Sequence, residues 1–151
     1  MRNPRTTAAI AGHPIHPMLI PFPIAFFVAA FLCDLAFLYS AEAGWATASI
    51  WLLGAGLVMA ALAAVTGVVE VAGEPRIREL RAVWLHAGGN VLAVLIELYN
   101  WYSRYAAVES VVTTTGFVLS LIAVVILVFT GWMGGELVFR HRVGVADDGN
   151  V

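Results

Sequence analysis

The chain has 151 residues, of which 61% are hydrophobic, and its mean hydropathy is +0.88. Both values lie outside the range of an ordinary soluble domain and place the chain among membrane proteins. The formal net charge is only −2, and we expect no nucleic-acid partner. Cys33 is the single cysteine, so disulfides, Cys-rich zinc sites and iron–sulfur clusters lack the ligands that they require.

Four stretches are long and apolar enough to cross a lipid bilayer, whose ~30 Å core takes about 20 residues of helix. They are residues 18–40, 45–71, 81–103 and 110–138. The segments between them leave almost no chain for a separate soluble domain. We therefore predict an all-α fold, an integral membrane four-helix bundle that occupies residues 1–145 as a single domain. A short polar tail follows at 146–151.

The placement of the arginines predicts the orientation of the bundle. All eight basic residues are arginine, and one side of the membrane receives Arg2, Arg5, Arg76, Arg78, Arg81, Arg140 and Arg142. Only Arg104 lies in the loops on the other side. Because cytoplasmic loops carry an excess of positive charge, we predict that both termini lie in the cytoplasm.

A weak internal repeat relates the two halves of the chain. His16 opens the first span as His86 opens the third, and a Thr-Gly pair followed by a glutamate closes each of the other two. These closing motifs are Thr66-Gly67 with Glu70, and Thr130-Gly131 with Glu136. The pattern predicts two parallel two-helix repeats about an axis normal to the membrane.

Polar residues in the third span form a stripe of His86, Asn90, Glu97 and Asn100. At 100° per residue they fall on one face, which must point into the bundle because polar groups are costly in hydrocarbon. Near the outer side, Asp34 lies at the depth of Glu97. We expect these two carboxylates to share a proton or to bind polar neighbours, with Arg104 as the only cation within reach.

The histidines at the cytoplasmic side give the leading hypothesis. If His16 and His86 lie on facing helices, they could ligate a haem iron axially, as four-helix bundles do. Gly88 and Gly89 would let the flat macrocycle approach the backbone. The loop arginines Arg78 and Arg81 would then bind the haem propionates.

Other interpretations of the same groups remain open. His16, His86, Glu70 and Glu136 could form a non-haem site for iron, zinc or manganese. They could equally bind one another and fix the helix register, in which case no cofactor is bound and the protein is a membrane anchor or scaffold subunit. A third class, proton or small-cation transport, rests on Asp34 and Glu97.

Partners follow from the size of the bundle. Four helices enclose a small interior, and small residues at Gly56, Ala60, Ala64 and Gly67 suit close helix packing. A redox role would need another polypeptide, so we predict a membrane subunit rather than an enzyme on its own. We expect a homo-oligomer or a larger membrane complex, in the lipid bilayer.

Several motifs occur in an order that resembles a known family. They are Gly12-His13-Pro14-Ile15-His16-Pro17 with Phe22-Pro23-Ile24-Ala25, Thr66-Gly67 with Glu70, His86 with Asn90, and Gly134-Gly135-Glu136-Leu137-Val138 with Arg140 and Val143-Gly144-Val145. The chain resembles, from about residue 11 to 145, the bacterial four-helix membrane proteins catalogued as domain of unknown function 2231.

The resemblance implies a multi-pass protein of the bacterial inner membrane. Some relatives are joined to Rieske or cytochrome c domains, which implies electron transfer. Relatives often have aspartate at the position of Glu70 and histidine at that of Glu136, which disfavours a haem ligand at the latter. From the histidine pair and from the relatives joined to redox domains, we expect a redox subunit that binds or serves a b-type haem near the cytoplasmic side and passes electrons to quinone or a partner.

Overall fold

Four long apolar helical segments make up most of the protein in a computed structural model that describes residues 3–4 and 6–145. They are Ile15–Ser40, Ala43–Gly73, Arg81–Ser103 and Val108–Arg140, each long and apolar enough to span a membrane. Their bounds lie within a few residues of those predicted from hydropathy, and the all-α four-helix fold is confirmed. Arg2, Arg5 and the predicted tail at 146–151 lie outside the described residues.

The first segment is interrupted by its prolines. Helix α1 (Ile15–Leu19) is followed by α2 (Pro21–Ser40), and the break falls at Ile20. Pro21 and Pro23 have no backbone N–H to continue the hydrogen-bond ladder, which explains the break. At its other end α2 stops at Ala41, whose φ of 56° lies in the left-handed region and whose N–H donates to the carbonyl of Phe37.

The second and third segments are continuous helices, α3 (Ala43–Gly73) and α5 (Arg81–Ser103). Between them lies a single short turn of helix, α4 (Pro75–Arg78), which begins with a proline at its first position. The side chain of Glu74 caps this turn by accepting the N–H of Arg76.

The fourth segment combines four pieces. Helix α6 (Val108–Val111) continues through a π-helical turn at Val112–Gly116 into α7 (Phe117–Gly135), and a second π turn covers Glu136–Arg140. Such turns leave the regular backbone ladder and often occur at functional sites. The first one lies beside a buried polar cluster described below.

The helices pack in a ring in chain order. Helix α2 packs along α3, α5 packs along α7, and the ring closes through contacts of α2 with α7 and of α3 with α5. The core between them contains Phe27, Ala30, Leu53, Ala60, Ala93 and Leu127. Gly56 lies directly under Phe27, because a Cβ at this glycine would come within 2.6 Å of the ring. Gly56 and Ala60 therefore pack inside the bundle.

Buried positions reveal the internal repeat more clearly than the sequence motifs do. Four buried residues of α2 each have a buried counterpart 70 positions later in the chain: Pro23 and Ala93, Phe27 and Glu97, Ala30 and Asn100, Asp34 and Arg104. Five buried residues of α3 have buried counterparts 67 positions later: Ser49 and Gly116, Leu53 and Ser120, Gly56 and Ala123, Ala60 and Leu127, Ala63 and Thr130. The two halves thus bury equivalent positions.

This correspondence shifts the pairing of the Thr-Gly motifs. Gly67 contacts His16, whereas the glycine that contacts His86 in the same way is Gly134 rather than Gly131. A Cβ at Gly131 would meet nothing within 4 Å. The equivalent pairs are therefore Ala63 with Gly67 and Thr130 with Gly134. Each of these pairs spans four residues, so the adjacent pairs Thr66-Gly67 and Thr130-Gly131 do not occupy equivalent positions in the two halves.

The residues before α1 fold back over the end of the bundle at which α1 begins and the fourth segment ends, which we call the terminal end. A two-stranded antiparallel hairpin, β1 (Ala9–Ile10) and β2 (His13–Pro14), turns at Ala11 and Gly12. Both turn residues have positive φ, 49° and 80°, as a tight hairpin turn of this length requires. The N–H of Gly144 donates to the carbonyl of Pro4 at 3.1 Å, so the two terminal segments contact each other.

Candidate functional site

The two histidines at the terminal end face each other. His16 lies on α1 and His86 on the first turns of α5, and their ring centroids are 6.3 Å apart with an angle of 83° between the planes. Both side chains are partly buried. The helix ring brings them together even though they lie in opposite halves of the chain.

Each histidine is oriented by a backbone carbonyl of the neighbouring helix. His16 Nδ1 lies 2.7 Å from the carbonyl oxygen of Ala63, and His86 Nδ1 lies 2.8 Å from that of Thr130. A carbonyl oxygen only accepts, so each Nδ1 must carry the hydrogen. In a neutral imidazole the lone pair then resides on Nε2. This is the arrangement found in histidines that ligate metals through Nε2.

Two glycines make room for these rings. A Cβ at Gly67 would lie 2.9 Å from Cε1 of His16, and one at Gly134 would lie 3.1 Å from Cε1 of His86. Each glycine follows, by one helical turn, the residue whose carbonyl binds the same histidine. Carbonyl and glycine together form a small seat for the imidazole on α3 and an equivalent seat on α7.

Asn90 forms a hydrogen bond with Nε2 of His86, the ring nitrogen that does not bind a carbonyl. Its Nδ2 donates to His86 Nε2 at 3.2 Å and to the carbonyl oxygen of His86 at 2.8 Å. Thr130 Oγ1 in turn donates to Asn90 Oδ1 at 3.0 Å. A ligand that bound His86 through Nε2 would displace this amide hydrogen bond. His16 has no equivalent asparagine, and no hydrogen bond is found at its Nε2 among the described residues.

The two glutamates predicted to complete a metal site have other partners. Glu70 accepts hydrogen bonds from the hydroxyl of Thr6 and from the backbone N–H groups of Thr7 and Ala8, the latter two at 2.9 and 3.3 Å. Glu136 forms a partly exposed ion pair with Arg140 at 3.4 Å. Among the described residues, Glu70 thus binds the N-terminal segment and Glu136 binds a surface arginine, and neither glutamate forms a hydrogen bond with His16 or His86.

No group of three or more histidine, cysteine, aspartate or glutamate side chains among residues 3–4 and 6–145 could hold a metal ion. The non-haem site of two histidines and two glutamates stays a prediction. Arg78 and Arg81, predicted to bind propionates, are exposed on the same end, and neither forms an ion pair with a described residue.

The opposite end of the bundle, which we call the distal end, contains a buried ion pair. The guanidinium of Arg104 binds both carboxylate oxygens of Asp34, at 2.6 and 2.7 Å, and both side chains are fully shielded from solvent. Ser49 and Ser120 donate to the same carboxylate. Of the two expected arrangements, the structure shows hydrogen bonds to polar neighbours rather than a proton shared between Asp34 and Glu97, because Arg104 and the two serines satisfy both oxygens of Asp34.

Asn100 links this ion pair to Glu97. Asn100 Oδ1 accepts from Arg104 Nε at 3.0 Å, while Asn100 Nδ2 donates to Glu97 Oε2 at 2.9 Å and to Ser120 Oγ at 3.0 Å. Gly116, in the first π turn, leaves room for Arg104 and Asn100, since a Cβ there would lie 3.1 Å from the guanidinium. We refer to Asp34, Ser49, Glu97, Asn100, Arg104 and Ser120 as the distal cluster.

Sequence reasoning named Arg104 as the only cation within reach of the two carboxylates but missed its bidentate contact with Asp34 and the two serines. The signal was the separation of 70 between Asp34 and Arg104, the same as between the two histidines. Ser49 and Ser120 stand out in no motif, since an isolated serine in an apolar span is ordinary.

The comparisons agree with the fold. The model of a family described as "Predicted membrane protein (DUF2231)" matches residues 12–147. No curated protein and no solved structure matches the chain. The family match extends from the hairpin before α1 to beyond the last helix, so the chain belongs to this family of predicted membrane proteins, domain of unknown function 2231.

Proposed function

We propose that the protein is a membrane electron-transfer subunit that holds a b-type haem between His16 and His86. The observation that carries this proposal is the pair of imidazoles, which face each other across the ring of helices with both Nδ1 atoms already bound. Membership of a membrane-protein family is compatible with such a role but does not specify it.

The two rings are close enough to hold one group between them. Their centroids are 6.3 Å apart, and a histidine nitrogen lies about 2 Å from a metal that it binds. His16 and His86 would therefore be the residues that hold the haem iron.

The chain's own residues would orient and hold the group. The carbonyls of Ala63 and Thr130 fix the imidazole tautomers, and such second contacts strengthen a histidine as a ligand. Arg78 and Arg81 lie on the same end with exposed side chains and would bind the propionates. Haem supplies reversible one-electron chemistry when bound.

Electrons must enter and leave by way of another molecule. The described residues form one bundle, and the histidine pair lies at its terminal end, so we propose exchange with quinone or with a partner subunit at that end. From the arginine bias we propose that this end faces the cytoplasm, in a bacterial inner membrane. A homo-oligomer or a larger membrane complex would supply the partner.

A second candidate is an anchor or scaffold subunit without a cofactor. It is favoured by the completeness of the hydrogen bonding, since Glu97 Oε1 is the only buried side-chain oxygen or nitrogen without a partner in the described part of the chain. In that case the histidines only lock α1 to α3 and α5 to α7.

An absorption spectrum of the protein purified from haem-supplemented cells distinguishes the two. We expect a Soret band that is lost in both His16→Ala and His86→Ala. His13→Ala is the matched control, because His13 is exposed and contacts only its own hairpin turn. Protein without haem in the spectrum would favour the anchor, and a single metal ion per chain by mass spectrometry would indicate a non-haem site on the same two histidines.

A further inference from the structure

The distal cluster contains two carboxylates, and only one of them is neutralised. Asp34 has a bidentate contact to Arg104 and hydrogen bonds from two serines, so both of its oxygens are satisfied. The guanidinium carries one positive charge. After this pairing the cluster has no second cation for Glu97 among the described residues.

Glu97 is fully buried, and its carboxylate is only half satisfied. Oε2 accepts one hydrogen bond from Asn100, while Oε1 has no partner in the described structure. An ionised carboxylate with an open oxygen is strongly unfavourable inside a membrane bundle. Binding a proton removes the charge, and the open Oε1 is the atom that can receive it.

The internal repeat shows that the architecture does not need a carboxylate here. Glu97 is equivalent to Phe27, a buried core residue, and Asn100 is equivalent to Ala30. The first half of the bundle therefore fills the same two positions with apolar side chains. Packing at these two positions therefore does not require polar side chains such as Glu97 and Asn100.

We propose that Glu97 is a proton-binding site in the membrane interior. Its carboxylate takes a proton from water onto Oε1 and returns it to water, while Asp34 and Arg104 remain a paired anion and cation. Its hydrogen-bond partner is Asn100 on its own helix, and the charged groups that act on it are Arg104 at the end of α5 and Asp34 on α2. This proposal is independent of haem binding.

Infrared spectroscopy of the protein in lipid vesicles tests it. With ¹³C-carboxyl glutamate, we expect one neutral-carboxyl band that shifts with the label, shifts again in D₂O, and disappears reversibly as the pH is raised. Glu97→Gln should lose the whole band. Glu109→Gln is the matched control at an exposed position and should keep it.

Other results would overturn the proposal. Measured at about pH 6, where exposed glutamates are ionised, these are the absence of a neutral glutamate band, a band that does not respond to pH or D₂O, or a band that persists in Glu97→Gln. If Glu97→Gln fails to fold, Glu70→Gln decides, because Glu70 is the only other buried glutamate in the described range. A band lost in Glu70→Gln would contradict the assignment, and a band retained there would support it.

Discussion

Asp34 and Arg104 occupy equivalent positions in the two halves of the bundle, and their side chains form a two-point ion pair across it. Equivalent positions near a two-fold axis approach each other, so opposite charges there can pair where identical ones would repel. The pair is buried and sits at the distal end, where it joins α2 to the end of α5. The two halves are thus held together by a residue pair that breaks their symmetry.

Removing one member of this pair should destabilise the bundle strongly. We expect Arg104→Met or Asp34→Leu alone to lower the free energy of unfolding by about 3–5 kcal/mol, because each leaves an uncompensated buried charge or its partners unpaired. The double variant should be more stable than either single variant. Reversible unfolding in mixed micelles measures all three.

The exposed pair of Glu136 and Arg140 is the control for that cycle. Arg140→Met should change the unfolding free energy by less than about 1 kcal/mol, since an exposed ion pair contributes little. Equal losses at both sites, or a double variant as unstable as the sum of the single ones, would contradict the assigned ion pair.

The glycine seats predict a specific effect on the histidines. Alanine at Gly67 or Gly134 would press a methyl group against His16 or His86 and push the ring from its carbonyl. We expect haem affinity to fall about 10–100-fold, the usual effect of losing a ligand's second contact. Haem titration of purified apoprotein measures the affinity.

Gly131 provides the control for these substitutions. A Cβ at this glycine would meet nothing within 4 Å, so alanine there should leave haem affinity unchanged. Alanine also has the higher helix propensity, by about 1 kcal/mol, and should not weaken the helix. Equal haem affinities of Gly67→Ala and Gly131→Ala would contradict the proposed role of the glycine seats.

Asn90 should limit access to His86. Asn90→Ala removes the amide that binds His86 Nε2 and would free this nitrogen for a ligand, at a cost of about 1 kcal/mol for the hydrogen bond from Thr130. We expect haem affinity to rise in this variant. A fall in haem affinity would indicate that Asn90 orients the His86 ring rather than blocks its Nε2. The same titration distinguishes the two outcomes.

Glu70 should act as the anchor of the N-terminal segment. In Glu70→Ala the hydrogen bonds to Thr6, Thr7 and Ala8 are lost together. We expect faster amide exchange over residues 6–15 by mass spectrometry, with exchange in α3 and α5 unchanged. Glu136→Ala, whose partner is Arg140, should leave these amides as they are. Unchanged exchange in Glu70→Ala would show that the hairpin is held by other contacts.

The spans and their order could be predicted from the sequence because length and hydropathy alone determine which segments enter a bilayer. The shared depth of His16 and His86 followed from their places at the start of parallel helices. The partners of Glu70 could not be predicted. The depth of a residue along a helix can be predicted from sequence. The segment before α1 folds back over the bundle, however, and nothing in its sequence indicates that it binds Glu70.

Arg104 shows the same limit in another way. Sequence reasoning assigns it to a loop, since it follows the last apolar residues of α5, and a loop arginine normally faces water. Its position just past the helix end lets the long side chain turn inward to Asp34. Only the packing of α2, α3 and α7 around that point makes such a burial favourable.

If His16 and His86 ligate one haem iron, electron paramagnetic resonance of the oxidised, haem-loaded protein should show it. We expect one haem per chain with a low-spin signal, as two imidazole ligands give. In His86→Ala and in His16→Ala this signal should be replaced by a high-spin signal or lost with the haem, and in His13→Ala it should be unchanged. A low-spin signal that survives both alanine substitutions, or a haem-free protein after reconstitution, would contradict the account.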